Sequence, residues 1–304
     1  MGNSGGIETK TMQEVFQGYQ LMGVEENQRF GDISLYKDKS TGEVVWVKEI
    51  PIDEKSTEEI LDKYILSQAW KDQVFITKDV YKVAPQEGFL CSANCHIAPK
   101  YIVIMEYFER DLEYEIHQRA AELDKDYFPE PEIWYIIESI MSVESVVLRQ
   151  NRFHGDLRTS SIFISEEGQT KYWDPTILDH KTNSYIKVMT HQSKCNLSPE
   201  YFQSLQANQK EPKSNPELTD VFAMGIIILS LATLHDDNWY YDWNMRDILW
   251  SNVNDSISEL RLRYSPLLIT LVEGCLKQRV AERLHLGEVL NYVEQRKSNS
   301  SQIH

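Results

Sequence analysis

Long hydrophobic runs are missing from this sequence. No apolar stretch reaches the roughly 18 residues of a membrane span, and the most apolar one, residues 221–234, reads as a buried helix. No secretory h-region opens it either, so a soluble, cytoplasmic protein is expected. Positive charge is scarce: 31 Lys and Arg stand against 47 Asp and Glu, a net charge of −16. That balance repels phosphate backbones and anionic lipid, so nucleic acid is not an expected partner. Cysteine is sparse, with four at positions 91, 95, 195 and 275. Cys91, Cys95 and His96 lie close together, but no second ligand pair follows at zinc-site spacing. Reduced thiols are expected, with no metal–thiolate site.

What is present suits a packed protein. Hydrophobic residues make up 41% and aromatics 11% of 304 residues, enough for a sizeable core and about two lobes. Residues 1–16 are polar and Gly-rich and read as a flexible arm. Their start, Met1-Gly2-Asn3-Ser4-Gly5-Gly6, matches part of an N-myristoylation signal but carries Gly6 where Ser or Thr is wanted. An acyl group on Gly2 would give weak, reversible association with a membrane surface.

From Tyr19 to Ile50, short β-prone runs are broken by the turn Lys39-Ser40-Thr41-Gly42, which predicts a hairpin. A helix is expected from Ser56 through Gln68, then strands over 74–83 and 101–108. After Asp111 the period changes. Residues 112–123 and 131–148 read as helices, the second with Ile133, Ile136, Ile137, Ile140 and Val143 on one stripe. Two short β-like runs, 162–165 and 170–173, precede an irregular stretch and further helices. Residues 297–304 form a polar tail expected to fray. The aromatic-rich stretch with Trp239, Tyr240, Tyr241, Trp243 and Trp250 suits either core or a protein interface.

The segment His154-Gly155-Asp156-Leu157-Arg158-Thr159-Ser160-Ser161 resembles the catalytic loop H-R-D-L-K-x-x-N of the eukaryotic protein kinases. Other motifs follow in that family's order. Val45-Trp46-Val47-Lys48 resembles V-A-I-K, and Ile104-Met105-Glu106-Tyr107 resembles the last strand and hinge. Asp174-Pro175-Thr176 stands at D-F-G, and Ser198-Pro199-Glu200 resembles A-P-E. Asp220 opens a segment similar to the central helix, and Arg283 matches the arginine that pairs with the A-P-E glutamate. The resemblance covers about residues 17–295. It implies an α+β, protein-kinase-like bilobal fold, with a small β-rich N-lobe over about 17–108 and a larger helical C-lobe over about 109–296.

The resemblance also implies roles. Lys48 would touch the ATP phosphates, Asp156 would be the catalytic base, and Asp174 would hold Mg²⁺. Glu106 and Tyr107 would line the nucleotide site, and Asp220, Glu200 and Arg283 would be structural. The surroundings depart from the pattern. Where G-x-G-x-x-G belongs the chain reads Glu26-Asn27-Gln28-Arg29-Phe30-Gly31, so Gly31 alone remains to let backbone approach phosphate. Trp46 replaces the small alanine that packs against adenine. Ser161 replaces the metal-binding asparagine and is a weaker ligand. Arg158 replaces the loop lysine, Gly155 the arginine before the aspartate, and Pro175-Thr176 the Phe-Gly. Glu59 or Lys63 is expected opposite Lys48.

Two readings follow. The leading one is a pseudokinase, a protein-binding scaffold or regulator with weak or no ATP binding and no cofactor. The alternative is an active, divergent serine/threonine kinase using ATP and Mg²⁺ through Lys48, Asp156 and Asp174.

Overall fold

The computed structural model describes residues 8–27, 31–67, 74–84, 86–87, 96–174, 177, 185, 195–209 and 215–301. The expectations for Gln28, Arg29, Phe30, Cys91, Cys95, Pro175, Thr176 and Gly2 lie outside them. The chain divides into two compact units, Met1–Glu109 with Trp173–Thr182, and Arg110–Tyr172 with Asn183–His304.

The first unit is built on a six-stranded sheet. Its strands are β1 (Thr9–Lys10), β2 (Tyr19–Asn27), β3 (Gly31–Asp38), β4 (Val44–Pro51), β5 (Thr77–Val83) and β8 (Lys100–Glu106), in the order β1-β5-β8-β4-β3-β2. Two further short strands, β6 (Gln86–Glu87) and β7 (His96–Ile97), pair with each other. The expected hairpin is β3–β4, antiparallel, its turn closed by the Asp38 carboxylate accepting from the Ser40 and Thr41 amides. Gly42 turns at φ 77°, a left-handed value that a side chain would oppose.

Strand alternation assigns the two faces of β4. Val45 and Val47 join Val83, Ile102 and Ile104 in a core on one face, while Trp46 and Lys48 point to the other. What covers the valine face corrects the expected flexible arm over residues 9–16. β1 runs parallel to β5, and α1 (Met12–Phe16) sets Val15 into that core, flanked by Met12 and Phe16. The helix is held by a capping box: Glu14 N–H donates to Thr11 Oγ1, and Thr11 N–H to Glu14 Oε2. Helix α2 (Lys55–Ser67) completes the unit, burying Leu61, Tyr64 and Ile65.

The second unit is mainly helical. It comprises α3 (Leu112–Ala121), α4 (Glu130–Leu148), the hairpin β9 (Ile162–Ile164)–β10 (Thr170–Tyr172), α5 (Pro199–Gln206), α6 (Pro216–Thr233), a two-stranded ribbon β11 (Tyr241–Asp242)–β12 (Asp247–Ile248), α7 (Trp250–Leu260), α8 (Pro266–Cys275) and α9 (Leu286–Ser301). Among the described residues, α6 alone is long and apolar enough to cross a membrane. It is instead buried from Leu218 to Thr233, the core around which the unit packs. The stretch expected to fray from residue 297 is helical as far as Ser301, where α9 ends. In the aromatic-rich stretch Tyr240 and Tyr241 are core, whereas Trp239 is half exposed and stacks on His235.

Candidate functional site

The residues singled out above fall into two groups, one in each unit. In the first unit, β4 and β8 pair with Trp46 opposite Met105 and Lys48 opposite Val103, so Glu106 and Tyr107 follow at the strand's end. Trp46 is only 7% exposed. Its indole stacks on Trp173 (centroids 5.3 Å apart, 26° between planes) and meets Tyr107 edge-on at 5.0 Å. Indole Nε1–H donates to Glu25 Oε2 at 3.2 Å. Burial, with Glu25 and Glu109 nearby, raises the Tyr107 phenol above its ordinary pKa. Trp46 is therefore fixed on three sides: by an aromatic face, by an aromatic edge and by a carboxylate.

Lys48 is half-buried, and its Nζ donates to the Asp32 carbonyl at 3.2 Å. The amine lies against Gly31, where an added Cβ would stand 3.4 Å from Nζ. Gly31 itself has φ 73°. The partner expected from α2 needs correction. Glu59 is exposed and pairs with Lys55 at 3.6 Å, and Lys63 also faces outward. Next to Lys63, the inward-turned Tyr64 donates its hydroxyl to Asp174 Oδ2. Asp174 Oδ1 accepts from the Ile177 N–H at 3.4 Å. The fully buried Asp174 thus has a protein donor on each oxygen.

The second group is the loop 154–161. Asp156 is completely buried, and Arg158 Nε lies 3.3 Å from its Oδ1. Ser161 Oγ is committed to the loop: it donates toward the Asp156 and Arg158 carbonyls at 3.0 and 2.9 Å and accepts from Arg158 N–H. Gly155 takes φ 72°, which glycine tolerates and the arginine it replaces in the motif would resist. Its N–H donates to both oxygens of Asp220 at 3.0 and 3.2 Å, and Tyr185 Oη–H adds a third bond at 2.7 Å. Elsewhere in the unit Arg283 grips Glu200 through two bonds of 2.8 and 3.0 Å and also donates to the Leu218 carbonyl.

Sequence comparison agrees with this layout. Residues 28–293 match the family described as protein kinase domain. The chain belongs to that family. Over 266 residues it is 21% identical to serine/threonine-protein kinase 4 homolog B of Dictyostelium discoideum, covering 86% of this chain and 22% of that protein. Over 132 residues it is 29% identical to the dual specificity mitogen-activated protein kinase kinase sek-1 of Caenorhabditis elegans, covering 43% of this chain and 37% of the relative. The kinase domain here therefore spans well under half the length of either relative. Its bilobal α+β architecture is that of the family: a six-stranded sheet with one long helix, and a helical unit carrying the catalytic-loop motif.

Three residues at these sites were not singled out from sequence as parts of the nucleotide position. Trp173 directly precedes Asp174, and an aromatic beside a metal-binding motif is the signal that could have found it. Tyr64 lay next to the position weighed. Glu25 lies 21 residues before Trp46, and no local pattern marks it as a partner for the indole.

Proposed function

We propose that this kinase domain is a pseudokinase, a protein-binding scaffold or regulator whose nucleotide position is filled by its own side chains. The observation that carries the reading is the Trp46–Trp173 stack. Aromatic pairs in direct contact have centroids about 4.5–7 Å apart, and these lie at 5.3 Å. A purine packed against residue 46, as the family requires, would have to displace an indole that Tyr107 and Glu25 also hold.

The polar groups support the same reading. A divalent cation on Asp174 would compete with the Tyr64 hydroxyl and the Ile177 amide for its oxygens. Ser161 Oγ is occupied within its loop, and Lys48 Nζ donates to a backbone carbonyl. The residues present do not fit Mg-ATP in this arrangement, so no phosphotransfer step is derived. Asp156 is retained, with Arg158 Nε lying 3.3 Å from its Oδ1.

A thermal shift of the purified chain with millimolar ATP, with and without Mg²⁺, tests the proposal. No shift is expected. A ligand at 100 times its dissociation constant would add about 2.7 kcal/mol. A Mg²⁺-dependent rise, followed by phosphotransfer that Asp156→Asn abolishes, would overturn the reading in favour of an active serine/threonine kinase.

A further inference from the structure

Glu144 has no role in the site described above, and its position is unusual. It lies on α4 in the apolar stripe of Ile133, Ile136, Ile137, Ile140, Val143 and Val147, and it is 1% exposed. Among the described residues its carboxyl oxygens have no side-chain partner, and the donor that faces them is the His154 backbone N–H. It faces the equally buried Asp220 on α6, which accepts from Gly155 N–H and Tyr185 Oη–H. Among the described residues, the other groups around this pair carry no compensating cation. Glu217 and Asp156 add negative charge, the Tyr172 and Tyr185 phenols are neutral, and the His154 backbone N–H faces both carboxyls.

A buried carboxylate without a partner is far more costly than a buried carboxylic acid. Two facing carboxyls deepen the penalty, so one proton stays with the pair. Asp220, with three donors on its oxygens, is the member suited to keep the charge, although burial raises its carboxyl too, to about 7. Burial followed by mutual repulsion raises Glu144 well above the ordinary carboxyl range. We infer that Glu144 is a buried proton-binding site, and that its proton lets Asp220 remain the anionic anchor of the loop carrying Asp156. Proton loss would set two anions together inside the unit. The loop then has to give up its anchor, or the unit has to open.

The sign follows from linkage. Unfolded, Glu144 releases its proton in the ordinary carboxyl range; folded, it retains it. Above that range the folded state binds one more proton, so stability falls as pH rises. This inference does not depend on whether nucleotide binds.

The test is equilibrium unfolding of the full chain by urea from pH 5 to 9, for the wild type, Glu144→Gln and Glu144→Leu. One retained proton lowers the folding equilibrium constant tenfold per pH unit. Both variants should lose a tenfold-per-unit dependence relative to the wild type, and Glu144→Leu should be the more stable at pH 8. Equal slopes in all three would overturn the inference. Should neither variant fold, the wild type decides through infrared absorption in D2O at pH 9, well above the value of about 7 to which Asp220 is raised. A protonated-carboxyl band that survives in the folded state and vanishes on unfolding supports the inference; its absence refutes it.

Discussion

Trp46 stands where the family places alanine, and exchanging a methyl for an indole changes what the position does. The indole is held by π contacts to Trp173 and Tyr107 and by a hydrogen bond to Glu25. Truncation should therefore act in two opposite directions. Trp46→Ala is expected to destabilise the domain by about 3–5 kcal/mol, the usual loss for a buried large aromatic. On the proposed reading it should also create a response to ATP. Both are read in one experiment, a thermal scan of the variant with and without nucleotide. A variant that melts earlier and ignores ATP would mean that the indole is not what keeps purine out. Tyr64→Phe on that background removes the donor from Asp174 Oδ2 and should make any ATP shift more dependent on Mg²⁺.

Elements made of neighbouring residues were legible in sequence; those joined by distant residues were not. The β3–β4 hairpin announced itself through alternation and a Gly42 turn, and α4 and α6 through their apolar runs. β1 and α1 did not, because a two-residue parallel strand and a five-residue helix carry no periodicity. Only the Thr11–Glu14 capping box marks them, and the value of Val15 depends on strands some 30 to 90 residues away. The Tyr64–Asp174 bond spans 110 residues, which no local pattern encodes. Glu144 shows the converse. The stripe on α4 is legible from its apolar members, and nothing local marks Glu144 on it as a buried acid. Two predictions belong at this scale. Val15→Ala removes two buried carbon atoms from under the sheet, a loss of about 1.5 kcal/mol, measurable as a lower denaturant midpoint. Glu200→Gln leaves the Arg283 guanidinium, whose side chain is fully buried, without its counter-charge. Breaking such a pair typically costs about 3–5 kcal/mol. A change below about 1 kcal/mol would show that the Leu218 and Lys277 carbonyls suffice to hold Arg283.

At the scale of the whole molecule, the net charge of −16 acts against compactness, since like charges repel across the surface. Surface pairs such as Lys78–Glu43 and Lys82–Glu58 offset part of it locally. Salt screens long-range repulsion beyond about 10 Å at 0.1 M, so the thermal midpoint should rise between about 10 mM and about 150 mM NaCl. A fall would mean that attractive pairs outweigh the net repulsion. The chain carries seven tryptophans, and the stack of Trp46 on Trp173 gives two of them an additional use. Indoles in face contact share their electronic excitation, and a chiral pair splits it into circular-dichroism bands of opposite sign. The Trp46–Trp173 stack thus carries its own chromophore. A couplet that Trp46→Phe or Trp173→Phe erases would let the opening of that position be followed in solution by its colour in the ultraviolet, with no label and no ligand.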